Sequence, residues 1–311
     1  MIETSVEIEV TEGVIESYHD PRLVHRSCPV CKNDYFRTYA HCRPDNIGLP
    51  LFEPHFLARV VKCLVCGMVY TNPILSEVLS KQIYISVYAN LPPPHTKLDF
   101  SAMKVGSFLL RLLRRDHLLT AARMKELFPG GGARVLDVGC NYGEFVHYLN
   151  TNGFMANGID IIESRIHTGK SAYGIQGIMA GELESVDLDK YDIINLSHVL
   201  EHIGTLDPFL NRLIKRMKVG AYLFVSVPNF AAVRHLYHRR NLLLPYGHVN
   251  NFTYRHLVGL FDRFFMSRVE LSPISASDVG VGDKIKEELN SVTSRILTIS
   301  PFNLMYIGRV F

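Results

Sequence analysis

The chain has 311 residues, 47 % of them hydrophobic, which is enough for a buried core and for two domains or one large domain with an appendage. Its formal net charge of +3 is too slight to mark a nucleic-acid partner. No apolar run reaches the roughly 18–20 residues that span a bilayer, and Glu3, Glu7 and Glu9 are the wrong chemistry for a secretory leader, so a cytoplasmic protein with no membrane partner is expected.

Four of the six cysteines form two tight pairs, Cys28-Pro29-Val30-Cys31 and Cys63-Leu64-Val65-Cys66. In a reducing compartment paired thiolates point to metal rather than to cross-links. Two pairs complete a tetrahedral set of sulfurs, so a structural Zn²⁺ on Cys28, Cys31, Cys63 and Cys66 is expected, with no coordination position left open for catalysis. Gly67 suits the turn that closes the second pair. Cys42, beside His41, and Cys140 lack a partner at ligand spacing and read as small buried residues.

Residues 1–75 carry these pairs with little periodicity. Residues 76–129 form a helical connector, broken at Pro92, Pro93 and Pro94, in which Val105, Leu109 and Leu112 recur at helical spacing. Pro129-Gly130-Gly131-Gly132 ends it. In residues 130–311, strand candidates at 134–138, 155–159, 176–179, 192–196 and 221–227 alternate with helical stretches, the pattern of an α/β doubly wound parallel sheet. Two further strand candidates, 265–271 and 304–310, enclose a helix candidate near 284–297. No further C-terminal domain is expected.

The first of these strands runs into Val135-Leu136-Asp137-Val138-Gly139-Cys140-Asn141-Tyr142-Gly143, with a helix expected from Glu144. Glycines let a backbone approach a ligand closely, and Asn141 tolerates left-handed geometry. The second strand ends at Gly158-Ile159-Asp160, where a carboxylate can accept both hydroxyls of a ribose. The dinucleotide fingerprint G-x-G-x-x-G fails, because Asn141 and Glu144 stand at its other glycine positions. A nucleoside ligand without a pyrophosphate fits better.

Asp137-x-Gly139-x-x-x-Gly143 followed by Asp160 resembles the cofactor loop of class I S-adenosylmethionine (SAM)-dependent methyltransferases. Leu196-Ser197-His198-Val199-Leu200-Glu201-His202-Ile203 resembles that family's fourth-strand signature. Phe224-Val225-Ser226-Val227-Pro228-Asn229 resembles its fifth, and His248-Val249-Asn250-Asn251-Phe252-Thr253 the stretch before its late helix. The family carries glycine where this chain has Asn141. The resemblance implies a Rossmann-like, doubly wound seven-stranded sheet with SAM as cofactor. Asp137 and Gly139 would line its methionine part, with Asn141, Tyr142 and Gly143 completing the loop. Asp160 would hold the ribose, Glu182 would flank the adenine, and His198 would stand near the sulfonium.

A zinc ribbon ending in Cys66-Gly67-Met68-Val69-Tyr70-Thr71-Asn72-Pro73 resembles the N-terminal module of bacterial methyltransferases of sugar and surface-polysaccharide pathways, several of which act on nucleotide-linked sugars. The implied activity is methyl transfer to a small polar acceptor such as a sugar nucleotide. Candidate catalytic residues are His202, with Glu201 as its orienting carboxylate, and His248, in the segment that closes over substrate in that family. Arg234, Arg239 and Arg240, with His235 and His238, are suited to grip phosphate, so the acceptor is expected to be phosphate-bearing. An RNA methyltransferase and a non-catalytic SAM-binding scaffold are the alternatives. The lack of a basic stripe with interleaved aromatics counts against nucleic acid, and the intact loop and Asp160 count against the scaffold.

Overall fold

The computed structural model describes residues 22–42, 58–89, 108–231, 247–264, 267–273 and 303–311. The arginine and histidine stretch 234–240, the three prolines of the connector and the helix expected near 284–297 lie outside the described residues.

Strands β1 (Leu23–Val24), β2 (Phe36–Cys42), β3 (Ala58–Cys63), β4 (Val69–Thr71) and β5 (Ile74–Leu75) precede helices α1 (Glu77–Ala89) and α2 (Phe108–Leu127). β1 pairs with β5, and β2, β3 and β4 form an antiparallel sheet. The chain then alternates through β6 (Arg134–Val138), α3 (Glu144–Thr151), β7 (Met155–Asp160), α4 (Glu163–Tyr173), β8 (Ile178–Ala180), β9 (Ile193–Ser197), α5 (Leu206–Arg216) and β10 (Tyr222–Pro228). After β11 (Asn250–Asn251) come α6 (Tyr254–Phe261), β12 (Ser267–Pro273) and β13 (Asn303–Arg309).

The large sheet has seven strands in the order β12-β13-β10-β9-β6-β7-β8. β10, β9, β6, β7 and β8 are mutually parallel. β13 runs antiparallel between β10 and β12, so the sheet as a whole is mixed, while the five strands whose spacing suggested parallel pairing are parallel. Apolar alternation shows which strands are buried but not their direction, which depends on how the chain returns to the sheet.

Strand residues divide between the two faces as the two-residue period requires. Val135, Ile193, Phe224, Met305 and Ile307 join a cluster with Leu119 and Met124 of α2 and with Phe145, Val146 and Leu149 of α3. Leu136, Ile194, Leu223, Val225, Leu304 and Tyr306 face the other way, against Leu206, Leu210 and Leu213 of α5 and Leu257, Leu260 and Phe261 of α6. That second cluster also takes in Cys28, Val30, Val61, Cys63, Met68 and Tyr70. The cysteine-bearing segment and the large sheet therefore share one core.

The shared core is reinforced by β11, which adds to the N-terminal sheet by pairing Asn250 with Tyr70 and Asn251 with Val69. Arg26 fastens the same junction. Its Nε donates to the Thr71 carbonyl (3.1 Å), Nη1 to Gly204 (2.6 Å) and Nη2 to Val249 (2.8 Å). Asp207 accepts from Lys32 at 2.8 Å and from both terminal nitrogens of Arg263 at 3.0 and 2.6 Å. At α6, His256 Nδ1 accepts from Thr253 N, so its Nε2–H is the donor to the Cys66 carbonyl at 3.2 Å.

Candidate active site and cysteine cluster

In an open sheet with parallel strands, ligands gather where the strand order reverses, beyond the carboxyl ends of the strands. Here that point lies beyond β6, which has β7 on one side and β9 on the other. The loop leaving β6 turns through left-handed geometry at Gly139 (φ 77°), Asn141 (φ 55°) and Gly143 (φ 85°). Asn141 thus adopts the geometry anticipated for it. Asp160, at the end of β7, accepts from Asn141 N through Oδ2 and from Ile162 N through Oδ1, each at 2.9 Å. A carboxylate has about four acceptor sites, so Asp160 keeps capacity for a ligand donor. Burial and backbone amides oppose one another at this carboxyl, and burial prevails, so its pKa is raised.

Asp137 is buried, with Oδ1 accepting from Asn195 Nδ2 at 2.8 Å. It does not cap α3, whose N-cap is Gly143. Burial pushes its carboxyl up to about 7, against the Asn195 hydrogen bond and with the charge of Asp160 adding to the rise. Nearby, at the carboxyl ends of β9 and β10, Ser197 Oγ and Ser226 Oγ are buried with no hydrogen-bond partner among the described residues, as is Asn195 Oδ1. Buried polar atoms are nearly always satisfied, so this set suits a polar ligand seated at the strand ends. The Tyr142 ring packs 5.6 Å below the Arg165 guanidinium and 6.2 Å edge-on to Tyr173. Glu182 is exposed and ion-paired to Lys81 of α1. Cys140 is buried, and Gly158 is needed opposite it, since a Cβ there would lie 2.7 Å from the Cys140 sulfur.

A second group forms just past β9. His198 has φ 56°, a strained value for a residue with a side chain, and its Nδ1 donates to Glu201 Oε1 at 3.2 Å. Glu201 is 1 % exposed. Burial alone would raise its carboxyl, but the His198 hydrogen bond and the neighbouring imidazoles prevail and hold it at about 2. The carboxylate that sequence spacing assigns to His202 therefore orients His198. His202 is set instead by its Nδ1–H, which donates to the Gly247 carbonyl at 2.7 Å. His202 and His248 meet edge to face at 4.9 Å, and burial depresses His248 to about 4, so it is neutral at pH 7. Asn250 Nδ2 braces the turn from below, donating to the carbonyls of Leu200 and Ile203 at 2.9 and 2.8 Å. His117 of α2, which sequence spacing did not single out, stacks on Phe145 at 4.6 Å and feels the charge of His198. Its partners come from two other elements, so no local motif announces it.

The four paired cysteines converge, with every sulfur within 4.8 Å of the others and with Cys28–Cys66 and Cys31–Cys63 at 3.5 Å. Lys32 (φ 63°) and Gly67 (φ 79°) close the two turns in left-handed geometry. Burial raises the Cys28 thiol while the amides of Cys31 and Val30 favour its thiolate, and the amides of Cys66 and Val65 do the same for Cys63. Arg26 bonds to neutral carbonyls and lies in the field of Cys28, so a cluster of thiolates would supply its counter-charge.

A methyltransferase-domain family model matches residues 109–264. The ubiquinone biosynthesis O-methyltransferase of Rickettsia akari (strain Hartford) is 31 % identical over 101 residues, covering 30 % of this chain and 40 % of that protein. The enzyme of the same name from Coxiella burnetii (strain Dugway 5J108-111) is 29 % identical over 133 residues, covering 39 % and 56 %. The chain thus spans about half the length of these relatives, or less. The crystal structure of the plantazolicin methyltransferase BpumL, in complex with a triazolic desmethylPZN analog and SAH, superposes with a TM-score of 0.51 at 14 % identity, covering 73 % of this chain and 90 % of that one, a likeness of fold. The large sheet and its glycine loop are those of a class I SAM-dependent methyltransferase domain, and the chain belongs to the methyltransferase-domain family.

Proposed function

We propose that the chain transfers a methyl group from SAM to a small polar acceptor of the sugar-nucleotide kind. The observation that carries this reading is the left-handed glycine loop closed by Asp160 at the point where strand order reverses, with His198 and Glu201 at the next strand end. Gly139, Asn141 and Gly143 shape the floor of the cofactor site, with the backbone of Tyr142 between them. Asp160 accepts the ribose hydroxyls, Asp137 faces the cationic end of the methionine moiety, and Glu182 lies toward the adenine. When bound, SAM supplies an electrophilic methyl carbon.

Removal of the acceptor's proton falls to the histidine cluster. His198, oriented by the ionised Glu201, takes the proton, while His202 and His248 form the wall against which the acceptor is positioned. The four cysteines hold a structural zinc whose thiolates balance Arg26. The N-terminal segment, the connector and the methyltransferase domain act as one body around this site. The reading is tested by titrating SAM calorimetrically and assaying S-adenosylhomocysteine release against a panel of nucleotide sugars. Stoichiometric binding and turnover of at least one nucleotide sugar are expected; failure to bind SAM would overturn the reading, and turnover only with acceptors lacking a nucleotide would overturn the acceptor class.

A further inference from the structure

Glu201, His202 and His248 each offer a donor atom, and these atoms lie within 4.8 Å of one another. They come from two separate segments, the turn after β9 and the approach to β11, brought together by the Asn250 bridge and by the His202–Gly247 hydrogen bond. Glu201 is 1 % exposed, and its Oε2 has no hydrogen-bond partner among the described residues. A buried carboxylate oxygen left bare beside two imidazoles is costly unless something positive meets it. His202 already has the arrangement of a metal-ligating histidine, one ring nitrogen donating to a carbonyl and the other left as a lone pair. Glu201 is similarly supported from behind, its Oε1 held by His198.

We propose that Glu201 Oε2, His202 and His248 bind one divalent transition-metal cation, separate from the cysteine site. In tetrahedral geometry, bonds of about 2.0–2.2 Å put the ligand atoms of one cation roughly 3.3–3.6 Å apart, so this cluster closes by up to about 1.5 Å on binding. Two imidazoles and a carboxylate favour Zn²⁺, Fe²⁺, Co²⁺ or Mn²⁺ over Mg²⁺ or Ca²⁺, which prefer all-oxygen shells. Glu201 and His248 also line a narrow cleft with Pro228, Phe230, Asn250 and Asn251 among the described residues, and three protein ligands leave the cation an open side. Taken together with the proposed function, that open side would receive an acceptor hydroxyl and make its proton easier for His198 to remove.

The test is a titration of the full chain, as purified, with Co²⁺ alone, followed by absorption spectroscopy. Cobalt on cysteine sulfurs gives intense thiolate charge-transfer bands, whereas cobalt on nitrogen and oxygen gives weak visible bands without them. The expected result is one equivalent of the second kind, weakened at least tenfold in both His248→Ala and Glu201→Gln. Thermal unfolding of the same variants without added metal should remain a single cooperative transition, which establishes that they are folded. If His248→Ala fails that check, His202→Gln serves in its place. Cobalt appearing only with thiolate bands, or persisting unweakened in the folded variants, overturns the proposal. Cobalt binding without SAM binding overturns the transferase reading and leaves the cation site standing.

Discussion

At the residue scale, two carboxylates at adjacent strand ends carry different loads. Asp160 ties Asn141 to the end of β7 while keeping lone pairs for a ligand. Asp160→Asn retains a carbonyl acceptor for one backbone amide but turns an N–H toward the other. SAM affinity should fall by about 1–3 kcal/mol, roughly 5- to 150-fold, as read by calorimetry. Unchanged affinity would place the ribose elsewhere. Asp137 makes a pH prediction, because burial lifts it from 3.8 to about 7. A folded pKa above the unfolded one contributes stability that is complete below about pH 4 and is lost as pH rises toward about 7. A cationic ligand group facing Asp137 requires the carboxylate, so SAM should bind more tightly at about pH 8 than at about pH 6, releasing a proton at the lower pH. Calorimetry in buffers of different ionisation heat measures that proton, and its absence would show that Asp137 does not face the cation. Asp137 and the left-handed Asn141 were legible from one contiguous motif, and Asp160 from the end of the next strand. The pairing of Glu201 with His198 was not, since a helical or turn spacing admits either histidine and only the φ of 56° at His198 selects one.

Among the elements, the strands of the large sheet were readable because their apolar runs are bounded by glycine and polar residues. The expected and observed bounds agree within about two residues, the usual uncertainty of strand ends. The two-residue β11 has no such signature, yet it joins the cysteine-bearing sheet to the turn that holds Glu201 and His202. Arg26 sits at the same seam. Arg26→Ala would leave the carbonyls of Thr71, Gly204 and Val249 without this donor. A loss of about 2–4 kcal/mol is expected in denaturant unfolding. Because Gly204 and Val249 flank the histidine cluster, acceptor KM should rise more than SAM affinity falls. An equal effect on both ligands would mean that the seam supports the whole fold without positioning the acceptor wall.

For the molecule as a whole, the shared core changes what metal loss should do. A zinc ribbon joined by a linker would unfold alone, but Cys28, Val30, Cys63, Met68 and Tyr70 pack into the same cluster as Leu136, Val225 and Tyr306. Stripping zinc from the cysteine site with a chelator should lower the melting temperature of the entire chain by more than about 5 °C, in a single transition. Elemental analysis should find zinc bound before treatment. A chelated protein that melts in two steps, the later one unchanged, would show that the segments are energetically independent.

The sequence by itself determined the alternation of strands and helices, the glycine loop with Asp160, and the four cysteines, because each is written in local periodicity or in spacing along one short segment. The tertiary structure decided the antiparallel insertion of β13, the joining of β11 to β4, the Arg26 seam, and the meeting of Glu201 with His202 and His248. These depend on which distant segments are driven together when two faces of one sheet are buried, and hydrophobic burial is non-directional: it records that a residue goes inside but not whom it meets there.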